Sequence, residues 1–377
     1  MQFIDLKAQY DTLRDRIDAR IHQVLDHGGY IMGPEVKEFE AALSAYCGVE
    51  HTITCANGTD ALVLALKALG IGPGDAVFTT PFTFFATAEA IALAGARPVF
   101  ADIDPRTFNI DPASLEQAIL RTEQERKFLP KAVMTVDLFG LPADYDAIEA
   151  LCEKYKLDLV EDAAQGFGGE IRGRRAGSFG TVATTSFFPA KPLGCYGDGG
   201  AIFTNHEGVA ERLRSLRVHG KGGDKYDNVR IGTNSRLDTL QAAILIEKLE
   251  AFPDEMEKRQ QVAQRYTNQL PNWLTGPHVP EGYVSSWAQY SVLAESGAER
   301  TRIMKALGET GVPTMIYYAK PLHMQTALID LGLKEGDFPV SEDASARVFS
   351  LPMGPYLSEA DQSRVLETLY SLEARAA

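Results

Sequence analysis

The chain has 377 residues, of which 45% are hydrophobic and 23% charged. That composition excludes a disordered chain or a disulfide-stapled mini-domain and suits two globular domains with sizeable cores. Its net charge of −14, from 37 Lys+Arg against 51 Asp+Glu, argues against nucleic acid or an anionic membrane as partner.

The first residues, Met1-Gln2-Phe3-Ile4-Asp5-Leu6-Lys7, lack the basic and apolar regions of a signal peptide, and no apolar run reaches membrane-spanning length. A soluble, cytoplasmic protein is expected. Tyr10–Leu25 carries Leu13, Ile17, Ile21 and Leu25 at helical spacing and predicts a helix packed outside a main sheet. From about residue 50 to 205, short apolar runs alternate with helical patterns. The strand-like runs are His51–Cys55, Ala76–Thr79, Pro98–Asp102, Ala132–Val136, Leu157–Glu161, Val182–Phe187 and Gly200–Thr204. Helical patterns at Thr59–Leu69, Thr87–Ala94 and Ala143–Tyr155 separate many of them. This alternation predicts an α/β fold with a mainly parallel sheet, whose ligands bind at the carboxyl ends of the strands.

A locally basic stretch follows, with Arg212, Arg214, Arg217, Lys221, Lys225, Arg230 and Arg236 opposed only by Asp224 and Asp227. It suggests a site for a small anion, although Arg212, Arg214 and Arg217 read as a solvated helix face. Gln241–Leu249 predicts a helix ending before Pro253. Beyond it, Arg259–Leu270, Tyr283–Leu293, Glu299–Gly308 and Pro313–Tyr318 suggest a smaller α+β unit. The expected division is 1–250 for a large domain and 251–377 for a small one. The four cysteines, Cys47, Cys55, Cys152 and Cys195, follow no disulfide or metal spacing. They read as buried thiols, and no metal centre is expected.

Four features follow strands. Lys191 is the one lysine among the 31 residues Ala176–His206, set in Ser186-Phe187-Phe188-Pro189-Ala190-Lys191-Pro192-Leu193-Gly194-Cys195-Tyr196-Gly197-Asp198-Gly199-Gly200. An amine in apolar surroundings loses its proton more readily, as a Schiff-base lysine requires. Asp162 closes the run Leu157-Asp158-Leu159-Val160-Glu161-Asp162. It could keep a pyridine nitrogen protonated or simply cap a helix, and Gln165 three residues on could meet the ring's hydroxyl side. Ala56-Asn57-Gly58-Thr59-Asp60 joins a strand, a glycine turn and a helix start, which suits an anion, or capping by Thr59 or Asp60 alone. In Pro81-Phe82-Thr83-Phe84-Phe85 an aromatic could stack on a planar ring, while Phe82 and Phe85 read as core. A phosphate cradle, an aromatic plate, a ring-nitrogen acid and an amine together point to pyridoxal 5'-phosphate.

With these motifs in place, the sequence resembles the DegT-type pyridoxal-phosphate-dependent nucleotide-sugar aminotransferases over nearly its whole length. Further matching pieces are Phe3-Ile4-Asp5-Leu6, Gly29-Tyr30-Ile31-Met32-Gly33-Pro34-Glu35-Val36 and Asn234-Ser235-Arg236-Leu237-Asp238-Thr239-Leu240-Gln241-Ala242-Ala243. The resemblance implies a fold type I aminotransferase, working as a homodimer with shared active sites. It implies Lys191 as the cofactor lysine, Asp162 at the pyridinium, Gln165 near the ring oxygen and Phe84 stacked on the ring. Gly58, Thr59, Asp60 and Ser186 would hold the phosphate, with Asn234 reaching it from the neighbouring subunit. Arg236, His323 and Tyr30 would meet the nucleotide sugar, and L-glutamate would be the amino donor. Relatives with histidine at the lysine position act as dehydratases; Lys191 favours transamination. Ser186–Asn205 and its surroundings most resemble enzymes that aminate C3 of UDP-2-acetamido-2-deoxy-3-oxo-glucuronate for surface polysaccharides. Alternatives are another UDP- or dTDP-keto sugar aminated at C3 or C4, a pyridoxal-phosphate sugar dehydratase, or a regulatory protein that binds the cofactor without catalysis.

Overall fold

The structure, a computed structural model, describes residues 1–224 and 226–373. Lys225 of the basic stretch and the last four residues of the expected small domain lie outside the described residues.

All seven strand-like runs form strands of one sheet: β1 (His51–Cys55), β2 (Asp75–Thr79), β3 (Arg97–Phe100), β4 (Leu129–Val136), β5 (Asp158–Asp162), β6 (Val182–Ser186) and β7 (Gly200–Thr204). The order is β1-β7-β6-β5-β4-β2-β3. β2 pairs with β3 and β4, β4 with β5, and β5 with β6 in parallel, whereas β7 runs antiparallel to β1 and β6. The carboxyl ends of the parallel strands therefore share one edge. Gly200 enters at that edge, opposite both Cys55 and Ser186.

Helices cover both faces, which is why the strands read as continuous apolar runs. Ile53, Val160, Val182 and Ile202 pack on one side beneath α3 (Gly58–Ala68) and the helix Glu207–Leu216. On the other side Ala183 and Phe203 meet α2 (Pro34–Cys47), and Phe78, Val133 and Leu159 meet the helices Pro112–Glu125 and Tyr145–Tyr155. α1 (Leu6–His27) lies outside, with Leu13 and Ile17 on Ile244. Leu25, expected on its buried stripe, is 48% exposed and Val24 turns inward instead.

The largest departure from expectation is α4 (Thr239–Gln269), one helix of 31 residues where two were expected. Pro253 lies inside it. A proline removes one backbone N–H and crowds the preceding turn, but packing on both sides carries the helix through. Leu245, Leu249 and Phe252 are held in the large-domain core, and Val262, Ala263 and Tyr266 in the small-domain core. The expected boundary between residues 250 and 251 falls inside this helix.

The small domain pairs β8 (Tyr290–Leu293) with β9 (Val348–Leu351) in antiparallel fashion under the helices Gly297–Glu309 and Glu359–Glu373. The run Tyr283–Leu293 is not one strand. Tyr283–Val284 pairs with Glu170–Ile171 of the large domain, and Trp287, at φ +50°, turns the chain before β8. Pro313–Tyr318 makes a single bridge, Met315 to Ser350. The N-terminal segment crosses to this domain, where the Phe3 carbonyl accepts from the Met353 amide at 3.3 Å. Among the described residues no helix is long and apolar enough to cross a membrane.

Candidate active site

The turn after β1 is built for an anion. Asn57 caps α3, its side chain accepting from the Asp60 amide at 2.8 Å. The Asp60 N–H is therefore spent, and its carboxylate adds no donor to the cradle expected of it. Among the described residues the amides of Gly58 and Thr59 have no partner, so they point the positive end of α3 outward. Gly58 is required by proximity: a Cβ there would stand 2.7 Å from the Ser186 Cβ and 3.1 Å from its Oγ. β7, paired to both strands through Gly200, holds Gly58 and Ser186 together.

Asp162 closes β5 two residues short of Ala164, whose amide donates to its Oδ1 at 3.1 Å. Burial raises the pKa of this carboxyl above its ordinary value, while the Ala164 N–H and the charge of Lys191 pull it back. Lys191 shows the complement: burial lowers its pKa and the Asp162 charge opposes this. The two side chains act on each other electrostatically from the end of β5 and the loop after β6.

Gln165 is buried, and the protein fixes its amide from several sides. Its Oε1 accepts from the Phe139 amide at 2.9 Å and its Nε2 donates to the Tyr318 hydroxyl at 2.8 Å. Its carbonyl accepts from the Ser286 hydroxyl at 2.6 Å. Phe84 is 59% exposed, whereas Phe82, two residues earlier, is fully buried. Phe84 therefore presents an open aromatic face to solvent.

The remaining residues divide. Asn234 and Arg236 flank Ser235, which is fully buried and accepts from the Ala56 amide at 3.1 Å. Asn234 itself is exposed and Arg236 half-buried. Tyr30 is 48% exposed, and its carbonyl accepts from the Thr239 amide at 3.0 Å. Tyr226, Val229 and Ile231 extend an apolar fringe along the same loop. His323 is placed differently: its side chain has no exposed surface, its Nε2 meets Glu342 Oε1 at 3.0 Å, and its ring lies 4.8 Å from Phe338. It reaches no open substrate surface in this structure. Arg217, read as a solvated helix residue, is 6% exposed and binds Glu40 Oε1 at 2.5 Å and the Thr54 carbonyl at 2.9 Å. Arg214 is on the surface as expected.

Sequence reasoning missed Asn57 as the cap, although an Asn before a Gly-Thr helix start carries that signal. It missed Tyr318 and Ser286 as partners of Gln165, and no local pattern marks residues so distant in the chain. The residues present fit pyridoxal phosphate: paired Gly58 and Thr59 amides with Ser186 for the phosphate, a Phe84 face, Asp162 for a ring nitrogen and Lys191 for an aldehyde.

Comparison with known proteins agrees. Residues 11–370 match the model of the DegT/DnrJ/EryC1/StrS aminotransferase family. The chain is 49% identical to the UDP-2-acetamido-2-deoxy-3-oxo-D-glucuronate aminotransferase of Pseudomonas aeruginosa, over 96% of this chain and 97% of that one. A solved DegT DnrJ EryC1 StrS aminotransferase from Brucella abortus superposes with a TM-score of 0.96 at 52% identity, covering 99% of each chain. NtdA from Bacillus subtilis, solved with its cofactor PMP bound, gives 0.87 at 32% identity over 95% of this chain and 81% of that one. The fold is therefore that of the pyridoxal-phosphate aminotransferases, and the chain belongs to the DegT/DnrJ/EryC1/StrS aminotransferase family.

Proposed function

We propose that this protein transfers an amino group from L-glutamate to the C3 ketone of UDP-2-acetamido-2-deoxy-3-oxo-D-glucuronate, in the cytoplasm, for surface polysaccharide synthesis. The Lys191–Asp162 unit, at the same sheet edge as the unpartnered N-terminal amides of α3, carries the reading. The 49% identity to the Pseudomonas aeruginosa enzyme supports the choice of sugar.

Bound pyridoxal phosphate supplies an electron sink for the electron pair left when an amino acid loses its α-proton. The chain's own groups do the rest. Gly58, Thr59 and Ser186 anchor the phosphate by charge-assisted hydrogen bonds at the α3 dipole. Asp162 would place a negative charge beside the ring nitrogen and so hold a proton there. Lys191, biased toward its neutral form, accepts the α-proton at Nζ from the donor and returns a proton to the sugar-derived carbon. Gln165, locked by Phe139 and Tyr318, would meet the ring on its oxygen side, and Phe84 would cover its face. The exposed Asn234 and Tyr30 and the half-buried Arg236, with the fringe at Tyr226–Ile231, support a homodimer in which Asn234 reaches the neighbour's phosphate and Arg236 and Tyr30 the nucleotide sugar.

The test is incubation of the purified protein with pyridoxal phosphate, L-glutamate and a panel of UDP- and dTDP-linked 3-keto and 4-keto sugars. The expected result is one 2-oxoglutarate per amino sugar, fastest with the 3-oxo-glucuronate, and no product from a folded Lys191→Ala variant. Sugar dehydration without 2-oxoglutarate would identify a dehydratase instead. Cofactor binding with no half-reaction on any donor would identify a regulatory protein.

A further inference from the structure

Lys191 stands on a loop that closes on itself. The Phe187 carbonyl accepts from the Cys195 amide at 2.8 Å, and the Phe188 carbonyl accepts from the Lys191 amide at 2.9 Å. Gly194 permits this path, because a Cβ there would stand 2.5 Å from the Pro189 carbonyl oxygen. The loop is short, rich in proline and glycine, and outside the sheet's hydrogen bonding.

Its external anchors come from one face of α4. Gln241 Oε1 accepts from the Tyr196 amide at 2.8 Å. Two turns on, Lys248 Nζ donates to the Gly194 carbonyl at 2.6 Å and sits 4.1 Å from the centre of the Tyr196 ring. Tyr196 is backed in turn by Tyr10 of α1 at 6.0 Å. Lys248 is 1% exposed, and among the described residues no carboxylate lies within ion-pair distance of it. A buried ammonium without a paired anion is costly. The dipole of one carbonyl and the face of one tyrosine meet its charge, and both belong to the lysine loop. A hydrophobic side chain would fill this place at less electrostatic cost, so the geometry it imposes is what distinguishes it. Burial also draws the amine down to about 8, against the pull of Glu255 and Cys195.

We propose that Lys248 is a positioning residue that grips the Gly194 carbonyl and the Tyr196 ring, and thereby holds Lys191 Nζ in register with Asp162. The proposal rests on the reading of Lys191 as the residue that holds the cofactor. It differs from a packing role, because a cation with a long reach is needed and size alone does not suffice.

The experiment uses full-length apoprotein of wild type, Lys248→Met and Lys248→Arg. Pyridoxal phosphate is added, borohydride traps the adduct at timed intervals, and mass spectrometry measures label on the Lys191 peptide. The half-reaction with L-glutamate is followed in parallel. Lys248→Met should label Lys191 at least ~10-fold more slowly and lower kcat in step, with KM for the donor unchanged within about twofold. Lys248→Arg, which keeps the charge and a donor, should recover most of both. Should Lys248→Met fail to fold, Lys248→Gln, neutral and shorter, takes its place with the same expectation. Wild-type labelling at Lys191 with equal labelling in the neutral variant would overturn the clamp alone. A wild type that takes no label at Lys191 would overturn the reading of Lys191 beneath it.

Discussion

Replacing Gly58 by alanine is the sharpest perturbation of the phosphate cradle. The new Cβ would meet the Ser186 Cβ at 2.7 Å, its Oγ at 3.1 Å and its Cα at 3.4 Å. Carbon atoms rest at roughly 3.5–4.0 Å, so the two elements must part by about 1 Å. Ser186 ends β6 and cannot move easily, because Gly200 pairs with it on one side and with Cys55 on the other. The displacement therefore falls on the first turn of α3, where the Gly58 and Thr59 amides wait. Overpacking of this kind costs about 1–3 kcal/mol of stability. Losing the alignment of one charge-assisted hydrogen bond costs about 1.5–3 kcal/mol of cofactor binding, which is roughly 10- to 150-fold in Kd. Titration of apoprotein with pyridoxal phosphate, followed by absorbance, measures the second effect, and thermal unfolding measures the first. Ser186→Gly makes the diagnosis specific. It removes the atom that is struck, so Gly58→Ala should cost markedly less in the Ser186→Gly background than in wild type. Equal costs in the two backgrounds would refute the steric account, and an unchanged Kd for Gly58→Ala would refute the cradle itself.

Two further outcomes are expected. Asp137 is fully buried, and burial raises its carboxyl to about 7, with the Ala143 amide and Tyr145 hydroxyl opposing. Its pKa in the unfolded chain is about 3.9, so the native state holds the proton more tightly and stability is lost as pH rises from about 4 to about 7. Asp137→Asn keeps an acceptor for both donors and should gain stability relative to wild type across that window; parallel unfolding-versus-pH curves would contradict this. Tyr318→Phe removes the acceptor of Gln165 Nε2 at 2.8 Å. It should lower stability by about 0.5–1.5 kcal/mol and shift the absorbance of the bound cofactor; an unmoved spectrum would detach Tyr318 from the site.

The sheet was legible because its strands are short apolar runs bounded by turn residues, and burial on both faces preserves that signal. Lys191, Asp162 and Gly58 drew attention for a related reason: each sits three to five residues past a strand or at its last residue, so finding the strands found the edge, whereas Ser186 entered only through the family resemblance. The continuity of α4 was not legible. Pro253 is a local stop signal, and the apolar contacts that overrule it come from Tyr266, Phe252 and partners far along the chain. Arg217 misled for the same reason, since its neighbours Arg212 and Arg214 suggest an exposed face while Glu40 and Thr54, remote in sequence, draw it inward. The collar of Phe139, Ser286 and Tyr318 around Gln165 is assembled entirely across such distances.

The acidic pair Glu161-Asp162 shows how adjacent residues can serve opposite ends. Successive residues of a strand face opposite sides of the sheet. Asp162 turns toward Lys191, whereas the Glu161 oxygens accept from the Gly177 and Phe179 amides at 2.8 and 2.9 Å. Burial raises the pKa of Glu161 well above its ordinary value, and the nearby Asp137 raises it further. Burial acts in the same direction on Asp137, and the charge of Asp162 adds to it. Two buried carboxyls so close titrate as a unit and retain a proton between them. Asp162 differs from both in having a cation, Lys191, whose charge pulls its pKa back down. Environments that push neighbouring acids apart mark their division of labour. Here the Lys191 charge and the Ala164 N–H favour the ionised form of Asp162 against its burial, and an ionised carboxyl is what a protonated ring nitrogen would require.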